Sequence, residues 1–329
     1  MSDSLRSALQ SAVPEDGTRD SLISSVIPLL LGGIAEVSKA LRESHHVSAV
    51  GTANSFGDNQ LNVDVRAEEL LRKVISRCPF IATTSSEEDP VQRPVNPKTG
   101  HYCVAFDPLD GSSIISANWT VGTIVSIWDG PSALGQDPAH KQVGAILGVY
   151  GPRATAIVAV RIPGSGRSCC FEAALDDKGW MAKWRVTHPN LTLSPSTSYF
   201  SPANLRAASQ DSRYMSLVTG YISRQYTLRY AGGLVPDVVH MLIQGQGVYL
   251  SPVDRNQDSS KAKLRRLYEL CPLALVVECA GGRAVDPSTG QRILERAVES
   301  CDEKGGVVLG SASEVQEAVA VLTGSSGKC

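Results

Sequence analysis

The chain has no excess of charge of either sign. Its 31 Lys and Arg residues nearly balance 33 Asp and Glu residues, which gives a net charge of -2 over 329 residues. Proteins that bind nucleic acids in general carry an excess of positive charge, so we expect no nucleic-acid partner. With 42% hydrophobic residues the chain is also too apolar for a disordered protein, and it can build a hydrophobic core.

The N-terminal part of the sequence has few features of a membrane-spanning helix or of an export signal. Its most apolar N-terminal stretch, residues 27–35, is interrupted by proline and glycine and is much shorter than the about 20 apolar residues of a spanning helix. It lacks the charged start and the cleavage site of a secretory signal. The C-terminal Gly-Lys-Cys is only faintly similar to a peroxisomal Ser-Lys-Leu signal. We therefore expect a cytoplasmic protein without a membrane partner, rather than one from a plastid or a peroxisome-like organelle.

Cysteine pairs with the spacing of zinc or redox motifs are missing. The sequence has 8 cysteines, but none of them form a Cys-x-x-Cys pair. This spacing disfavours a zinc ribbon and a thioredoxin-like motif. Several of the cysteines lie in apolar runs, so we expect reduced thiols within the core of an intracellular protein.

The pattern of apolar residues indicates an α/β or α+β protein with two lobes. Helical patterns cover residues 20–42 and 64–77, and β-branched or aromatic strands are expected over residues 102–106, 121–127, 143–150 and 154–161. Residues 187–204 are rich in proline, serine and threonine, which places a domain boundary near residue 192. The predicted lobes are residues 1–192 and 193–329. In the second lobe we expect helices over 211–225, 236–244 and 262–270, and strands over 273–279 and 306–309.

The stretch Phe-Asp-Pro-Leu-Asp-Gly-Ser-Ser at residues 106–113 is the most informative part of the sequence. It follows an apolar strand, and Asp107 and Asp110 can converge on a hard cation through their oxygens. Gly111, Ser112 and Ser113 offer backbone N–H groups and hydroxyls that suit a phosphate. The alternative is an Asx-turn that merely ends the strand.

More acidic residues follow or precede other predicted elements. Glu87 and Glu88 come after the apolar residues 80–82, and Asp58 precedes Asp64, which opens a predicted helix. Taken singly, an acidic run is often a solvated surface and Asp64 a simple N-cap. A fold that gathers these acids with Asp107 and Asp110 would hold two or more Mg²⁺ or Mn²⁺ ions, as in metal-assisted phosphate hydrolysis.

A basic stretch could bind a second phosphate. In the predicted helix over residues 262–270, Lys263 and Arg266 share one face, with Glu269 three residues further on. Arg229 and Tyr230 similarly put a cation and a phenol just before a glycine pair. The alternative is an ordinary solvated face.

At these residues the sequence resembles the sugar-bisphosphatase family, and within it sedoheptulose-1,7-bisphosphatases more closely than fructose-1,6-bisphosphatases. The matching stretches follow the family's order from about residue 50 onward: 54–58 (NSFGD), 86–88 (SEE), 104–113 (VAFDPLDGSS), 121–124 (VGTI), 150–153 (YGPR), 200–207 (FSPANLRA), 226–237 (YTLRYAGGLVPD) and 261–282. The resemblance implies a layered α/β/α/β/α sandwich. It also implies hydrolysis of the C1 phosphate of a sugar bisphosphate.

The resemblance also implies a role for each matching residue. Two or three Mg²⁺ ions, with Mn²⁺ as a possible substitute, would be held by Asp58, Glu87, Glu88, Asp107, Asp110, Glu269 and the carbonyl of Leu109. Asp64 and Glu88 would orient and deprotonate the attacking water. Asp110, Gly111, Ser112 and Ser113 would hold the sugar and the leaving phosphate, and Asn204, Tyr230 and Lys263 the distal phosphate. In the family the counterpart of Arg229 comes from a neighbouring subunit, which implies a homo-oligomer, with a dimer favoured and a tetramer possible.

The sequence departs from the family pattern in ways that bear on substrate and regulation. Where fructose enzymes have a tyrosine that closes on the distal phosphate, this chain has Ser251, followed by a longer loop, which leaves space for a seven-carbon sugar. The redox cysteine pair of plastid sedoheptulose enzymes, an AMP pocket and a transit peptide are not recognisable. Three hypotheses stay open: a sedoheptulose enzyme, a fructose or dual enzyme, and a catalytically silent sugar-phosphate sensor.

Overall fold

Long, buried strands occupy the middle of the chain and helices flank them on both sides. A computed structural model describes residues 1–53, 59–176, 183–253 and 262–324. The helices in these ranges are α1 (Asp3–Ser11), α2 (Ile27–Glu43), α3 (Asn62–Ile75), α4 (Ser112–Ile115), α5 (Pro138–Lys141), α6 (Ser212–Ser223), α7 (Leu234–Gln244), α8 (Cys271–Cys279) and α9 (Ala312–Thr323). Shorter helical turns cover Leu22–Val26, Leu205–Ser209, Arg266–Leu270 and Ile293–Glu295.

The strands form two larger sheets and two small ones. They are β1 (Ala49–Ala53), β2 (Asn59–Leu61), β3 (Ile81–Ser86), β4 (Arg93–Pro94), β5 (Tyr102–Asp110), β6 (Val121–Asp129), β7 (Gln142–Tyr150), β8 (Ala154–Ile162), β9 (Arg167–Asp176), β10 (Lys183–His188), β11 (Tyr199–Pro202), β12 (Thr227–Leu228), β13 (Val248–Ser251), β14 (Leu264–Arg265), β15 (Arg283–Val285), β16 (Lys304–Gly305) and β17 (Val307–Gly310). The larger sheets have the orders β10-β9-β8-β7-β6-β5-β3-β4 and β12-β11-β13-β17-β15. Most neighbouring strands are antiparallel. The parallel pairs are β3 with β5, and β11 with both β12 and β13.

The hydrophobic core confirms the predicted α/β/α/β/α order of layers. One cluster packs α1, α2 and α3 against the first face of the eight-stranded sheet. A second cluster fills the space between the two larger sheets with side chains of α7 and α8. A third covers the outer face of the five-stranded sheet with α6 and α9. Because β5 and β7 are covered on both faces, they are buried along their whole length, which explains their near-continuous apolar sequence.

The boundary between two lobes near residue 192 stays a prediction.

Two of the predicted elements are wrong. Residues 273–279, expected as a strand, belong to helix α8, which begins with Pro272 in its first turn. This helix is apolar on all sides because it lies between two sheets, and a short apolar run cannot be assigned to helix or strand by its periodicity. Residues 262–270, expected as one helix, instead contain β14 followed by the π-helical turn Arg266–Leu270. Lys263 and Arg266 therefore do not share a helix face.

The N-terminal apolar helix covers nearly the range 20–42 that its pattern predicts. The turn Leu22–Val26 continues into α2, and the combined helix of 22 residues is long and apolar enough to cross a membrane by length and composition alone. Most of its apolar window is buried inside the protein, where Leu30 and Ile34 belong to the core beneath the eight-stranded sheet. A core helix passes the same test, so this helix is weak grounds for a membrane span.

The described cysteines carry free thiols, as expected. Cys103, Cys170 and Cys271 are fully buried in the core between the two sheets. Burial raises the pKa of each of these thiols, which keeps them protonated and unreactive.

Candidate active site

Acidic residues collect where the parallel strands β3 and β5 end. The register pairs Ser86, the last residue of β3, with Phe106 of β5, so the residues after β3 lie beside the last part of β5, which carries Asp107 and Asp110. The backbone N–H of Glu87 donates to the carbonyl of Phe106 at 3.0 Å. This pairing places Glu87 and Glu88 beside Asp107, at the edge of a sheet where ligands commonly bind.

Asp110 connects the eight-stranded sheet to the next layer. Its two carboxylate oxygens accept the backbone N–H groups of Leu234, at 3.1 Å, and Val235, at 2.6 Å. These amides begin α7, and they would otherwise lack partners because the first turn of a helix has no intrahelical acceptors. The partial positive charge of the helix N-terminus also favours a carboxylate there.

Gly111 allows the chain to turn sharply after the second aspartate. Its φ is +93°, in the left-handed region that other residues rarely adopt, and a Cβ there would approach a side-chain carbon of Val121 to 3.1 Å. The turn leads into the short helix α4, where Ser112 and Ser113 are exposed. The predicted phosphate-binding hydroxyls are thus accessible next to the buried acids.

Glu269 reaches the same place from the π-helical turn after β14. Its carboxylate accepts the backbone N–H of Arg265, and the buried guanidinium of Arg265 forms an ion pair with Glu87. Arg265 is not among the site residues predicted from the sequence. Its neighbours Lys263 and Arg266 were predicted instead, because they share a face of the expected helix. Arg265 lies in the short strand β14, and a helical prediction for this stretch gives no reason to select it.

The buried acids repel each other. Burial, followed by the charges of Glu87, Asp110 and Glu269, raises the pKa of Asp107 well above its usual range. Burial and the charge of Glu87 do the same for Glu269. Burial raises the pKa of Asp110 to about 6, although its hydrogen bonds from the helix oppose the shift. Burial also raises the pKa of Glu87, and Arg265 opposes this rise. The site therefore carries more negative charge than its protein partners compensate.

Asp64 and Glu88 form the predicted pair for activating water. Asp64 is the third residue of α3, and its Oδ2 accepts the backbone N–H of Leu61 at 2.9 Å. Its Oδ1 is buried and has no hydrogen-bond partner in the part of the chain that the structure describes. Burial, together with the charges of Glu88 and Glu87, raises the pKa of Asp64 to about 7. A carboxyl group with this pKa can accept a proton near neutral pH.

The site fits a hard divalent cation in donor type and in charge. Its donors are carboxylate oxygens, and buried charges of one sign are stabilised by metal coordination. Within the four described ranges, no group of three or more acidic, histidine or cysteine side chains is arranged to hold an ion. Arg265 engages Glu87 and two amides engage Asp110. The predicted ligand Asp58 lies outside the described residues.

The second parallel set of strands, β11 with β12 and β13, ends where the residues predicted for the distal phosphate lie. Asn204 follows β11 with a left-handed backbone, and its side-chain amide donates to the carbonyl of Pro252, just after β13. Arg229 and Tyr230 follow β12, which pairs with the other side of β11. The predicted residues Asn204 and Tyr230 therefore leave the same edge of the five-stranded sheet. Both side chains are exposed.

The two predicted cations are also exposed. The guanidinium of Arg229 lies over the ring of Tyr199, 5.4 Å from its centroid. Lys263 is exposed and lies two residues before the buried Arg265. Arg229 and Tyr230 border a groove of about 1040 Å³, which is also lined by Trp119.

Comparison with known proteins identifies the family. Residues 12–172 match the N-terminal domain of fructose-1,6-bisphosphatase, and residues 193–323 match its C-terminal domain. The chain belongs to the fructose-1,6-bisphosphatase family. It is therefore a sugar bisphosphatase, a hydrolase of phosphoric monoesters.

Family members named for either of the two substrates are similar to the chain. Chloroplastic sedoheptulose-1,7-bisphosphatase of Triticum aestivum is 39% identical over 85% of this chain and 68% of its own length. Class 1 fructose-1,6-bisphosphatase of Syntrophotalea carbinolica is 34% identical over 94% and 91%. A Toxoplasma gondii structure described as a candidate sedoheptulose-1,7-bisphosphatase has a TM-score of 0.86 and 35% identity, covering 99% of this chain and 100% of that one. Leishmania major fructose-1,6-bisphosphatase has a TM-score of 0.84 and 25% identity, covering 98% and 99%.

The raised pKa values predict how the stability of the bisphosphatase depends on pH in the presence of a chelator. Because Asp64 and Asp110 bind protons more tightly in the folded than in the unfolded chain, their stabilisation is complete below about pH 4 and declines as the pH rises through about 6 to 7. We expect a melting temperature several degrees lower at about pH 8 than at about pH 5.5.

The substitution Asp64→Asn keeps an acceptor for the N–H of Leu61 but removes one ionisation. It should therefore reduce the loss of melting temperature between the two pH values. Thermal melts of both proteins check the expectation, and an equally steep loss in the variant would contradict it.

Proposed function

We propose that the bisphosphatase hydrolyses the C1 phosphate of sedoheptulose 1,7-bisphosphate with the help of Mg²⁺. The observation that carries the metal-dependent chemistry is the cluster of buried, mutually repelling carboxylates at the ends of β3 and β5. Mg²⁺ would be held by Asp58, Glu87, Glu88, Asp107, Asp110, Glu269 and the carbonyl of Leu109. Bound there, it would neutralise the charge that develops on the transferred phosphoryl group.

The residues of the chain supply the positioning and the proton transfer. Asp64 and Glu88 orient the attacking water, and the raised pKa of Asp64 suits it to accept the water's proton. The exposed Ser112 and Ser113 bind the leaving phosphate through hydroxyl groups. The distal phosphate is held by Asn204, Tyr230, Lys263 and Arg229.

Two observations favour the seven-carbon sugar. The identity to the wheat sedoheptulose enzyme is higher than that to the bacterial fructose enzyme. At the end of β13 the chain has the small Ser251 next to the edge that carries Asn204 and Tyr230. A fructose-1,6-bisphosphatase or a dual enzyme is the second candidate, because the family match covers both domains of that enzyme.

Activity and its dependence on Mg²⁺ test the chemistry. We expect phosphate release from sedoheptulose 1,7-bisphosphate in Mg²⁺ and none in chelator. Glu88→Gln should lower kcat by about 100-fold or more, because the amide cannot accept a proton from water. The control Asp137→Asn replaces a partly exposed helix N-cap by an equally good one and should leave kcat unchanged. Activity that persists in chelator, or binding without phosphate release, would contradict the proposal.

The role of Ser251 is tested by filling the space that it leaves. Ser251→Tyr should lower kcat/KM for the seven-carbon substrate by about 10-fold or more relative to fructose 1,6-bisphosphate. Ser251→Ala, which keeps the space open, should leave the ratio unchanged. The measurement is kcat/KM for both sugars in all three proteins. A ratio that Ser251→Tyr does not change would contradict the role of this position.

We also propose that the protein is a homodimer that covers the groove bordered by Arg229 and Tyr230. Trp119, which lines the groove, is 57% exposed, and Leu228, next to Arg229 along the chain, is 53% exposed. We expect a dimer by sedimentation and a shift to monomer in Trp119→Asp. Val91→Asp changes a similarly exposed side chain beside β4, at the far edge of the eight-stranded sheet, and should not change the mass. A monomeric wild-type protein would contradict the proposal.

A further inference from the structure

Two buried hydroxyl groups lie directly under the turn that carries Asp107 and Asp110. The hydroxyl of Thr123, in β6, donates to the carbonyl of Pro108 at 2.7 Å. The phenol of Tyr150, at the end of β7, lies 2.6 Å from the same threonine oxygen. Thr123 is fully buried and Tyr150 nearly so.

The number of protons fixes the direction of this chain of hydrogen bonds. A threonine hydroxyl has one proton, and Thr123 gives it to Pro108, so the phenol of Tyr150 must be the donor to Thr123. Burial and the nearby charge of Asp107 raise the pKa of Tyr150, which keeps the phenol protonated for this task. Each bond in such a chain polarises and strengthens the next one.

The peptide group between Pro108 and Leu109 is held at both of its polar ends. Its carbonyl accepts from Thr123, and its N–H, which belongs to Leu109, donates to Oδ1 of Asp107 at 3.0 Å. Because a peptide group is planar, fixing both ends fixes its rotation about the chain. The fixed N–H in turn orients the Asp107 carboxylate through its Oδ1, and the fixed peptide plane limits the directions in which the following carbonyl of Leu109 can point.

We propose that Thr123 and Tyr150 are positioning residues that aim the Asp107 carboxylate and the Leu109 carbonyl at the catalytic cation. Neither residue touches substrate or cation in this role, and both act through the peptide group between Pro108 and Leu109. The inference deepens the proposed function and rests on it, since it assigns a purpose to the orientation of two proposed ligands.

The chain offers closely matched variants for a test. Thr123→Val keeps the shape but removes the hydroxyl, which leaves the buried carbonyl of Pro108 without its donor. Thr123→Ser keeps the hydroxyl and removes a methyl group, so it controls for packing. Tyr150→Phe keeps the ring and removes the donor to Thr123. For each protein we would measure kcat, KM for the sugar, the half-saturating Mg²⁺ concentration, and the rise in melting temperature on addition of Mg²⁺.

Substituting a residue that orients a metal ligand typically lowers metal affinity or activity by about 10–100-fold. We therefore expect Thr123→Val to raise the half-saturating Mg²⁺ concentration and to lower kcat, each by about 10-fold or more, and to reduce the Mg²⁺-induced rise in melting temperature. KM for the sugar should change by less than about 2-fold, since the distal phosphate site is untouched. Tyr150→Phe should act in the same direction with a smaller effect, and Thr123→Ser should resemble the wild type.

The outcomes separate this inference from the proposed function. If Thr123→Val merely lowers the melting temperature while Mg²⁺ dependence and kcat stay at wild-type values, the hydroxyl has a structural role and the inference is overturned. If Thr123→Val does not fold, Tyr150→Phe decides: wild-type Mg²⁺ dependence in that variant overturns the inference as well. A wild-type enzyme whose activity and melting temperature do not respond to Mg²⁺ would instead contradict the proposed function itself, and the inference with it.

Discussion

The placement of like charges in a buried site is the constraint on which this structure depends. Asp107, Asp110, Glu87 and Glu269 come from three separate stretches of chain, and burial raises the pKa of each of them, with repulsion from neighbouring carboxylates adding to the rise. Such a cluster opposes folding unless other contacts hold it in place. Here they include the register of β3 with β5, the amides that begin α7 and the guanidinium of Arg265. The surrounding layers supply the hydrophobic stabilisation that this arrangement requires.

Local signals predicted most of the individual helices and strands and the strand-end position of several acids, whereas the order of the layers came from the family resemblance. Asp107 and Asp110 follow a long apolar strand, and Glu87 follows another, so their position at strand ends could be inferred without knowing the fold. That these two strands are parallel neighbours could not be inferred from periodicity, because strand order depends on contacts between distant parts of the chain. The family resemblance implied only that these acids share one site, and the register of Ser86 with Phe106 is how the structure brings Glu87 next to Asp107.

The errors in the sequence analysis have a common physical origin. Residues 273–279 were expected as a strand because a helix buried on every side has no polar face to reveal its period. Arg265 was overlooked because residues 262–270 were predicted as one helix. In that helix Lys263 and Arg266 would share a face, and Arg265 would not. In the structure Arg266 is buried and binds backbone carbonyls and Glu303, a structural role. The charged residue that reaches the acidic cluster is the one between them.

Hydrogen bonds at the N-terminus of α7 connect the acidic cluster with the strand ends proposed to bind the distal phosphate. Asp110, at the edge of the eight-stranded sheet, accepts the first amides of this helix, while Asp237 in its first turn accepts the N–H groups of Ala231 and Gly232. Tyr230, at the edge of the five-stranded sheet, directly precedes that pair. A few hydrogen bonds around one helix N-terminus therefore link the acidic cluster to the proposed distal phosphate site. A bisphosphate substrate requires such a connection, because its two phosphates must fit both sites at once and a shift of either edge would misalign the reacting phosphate.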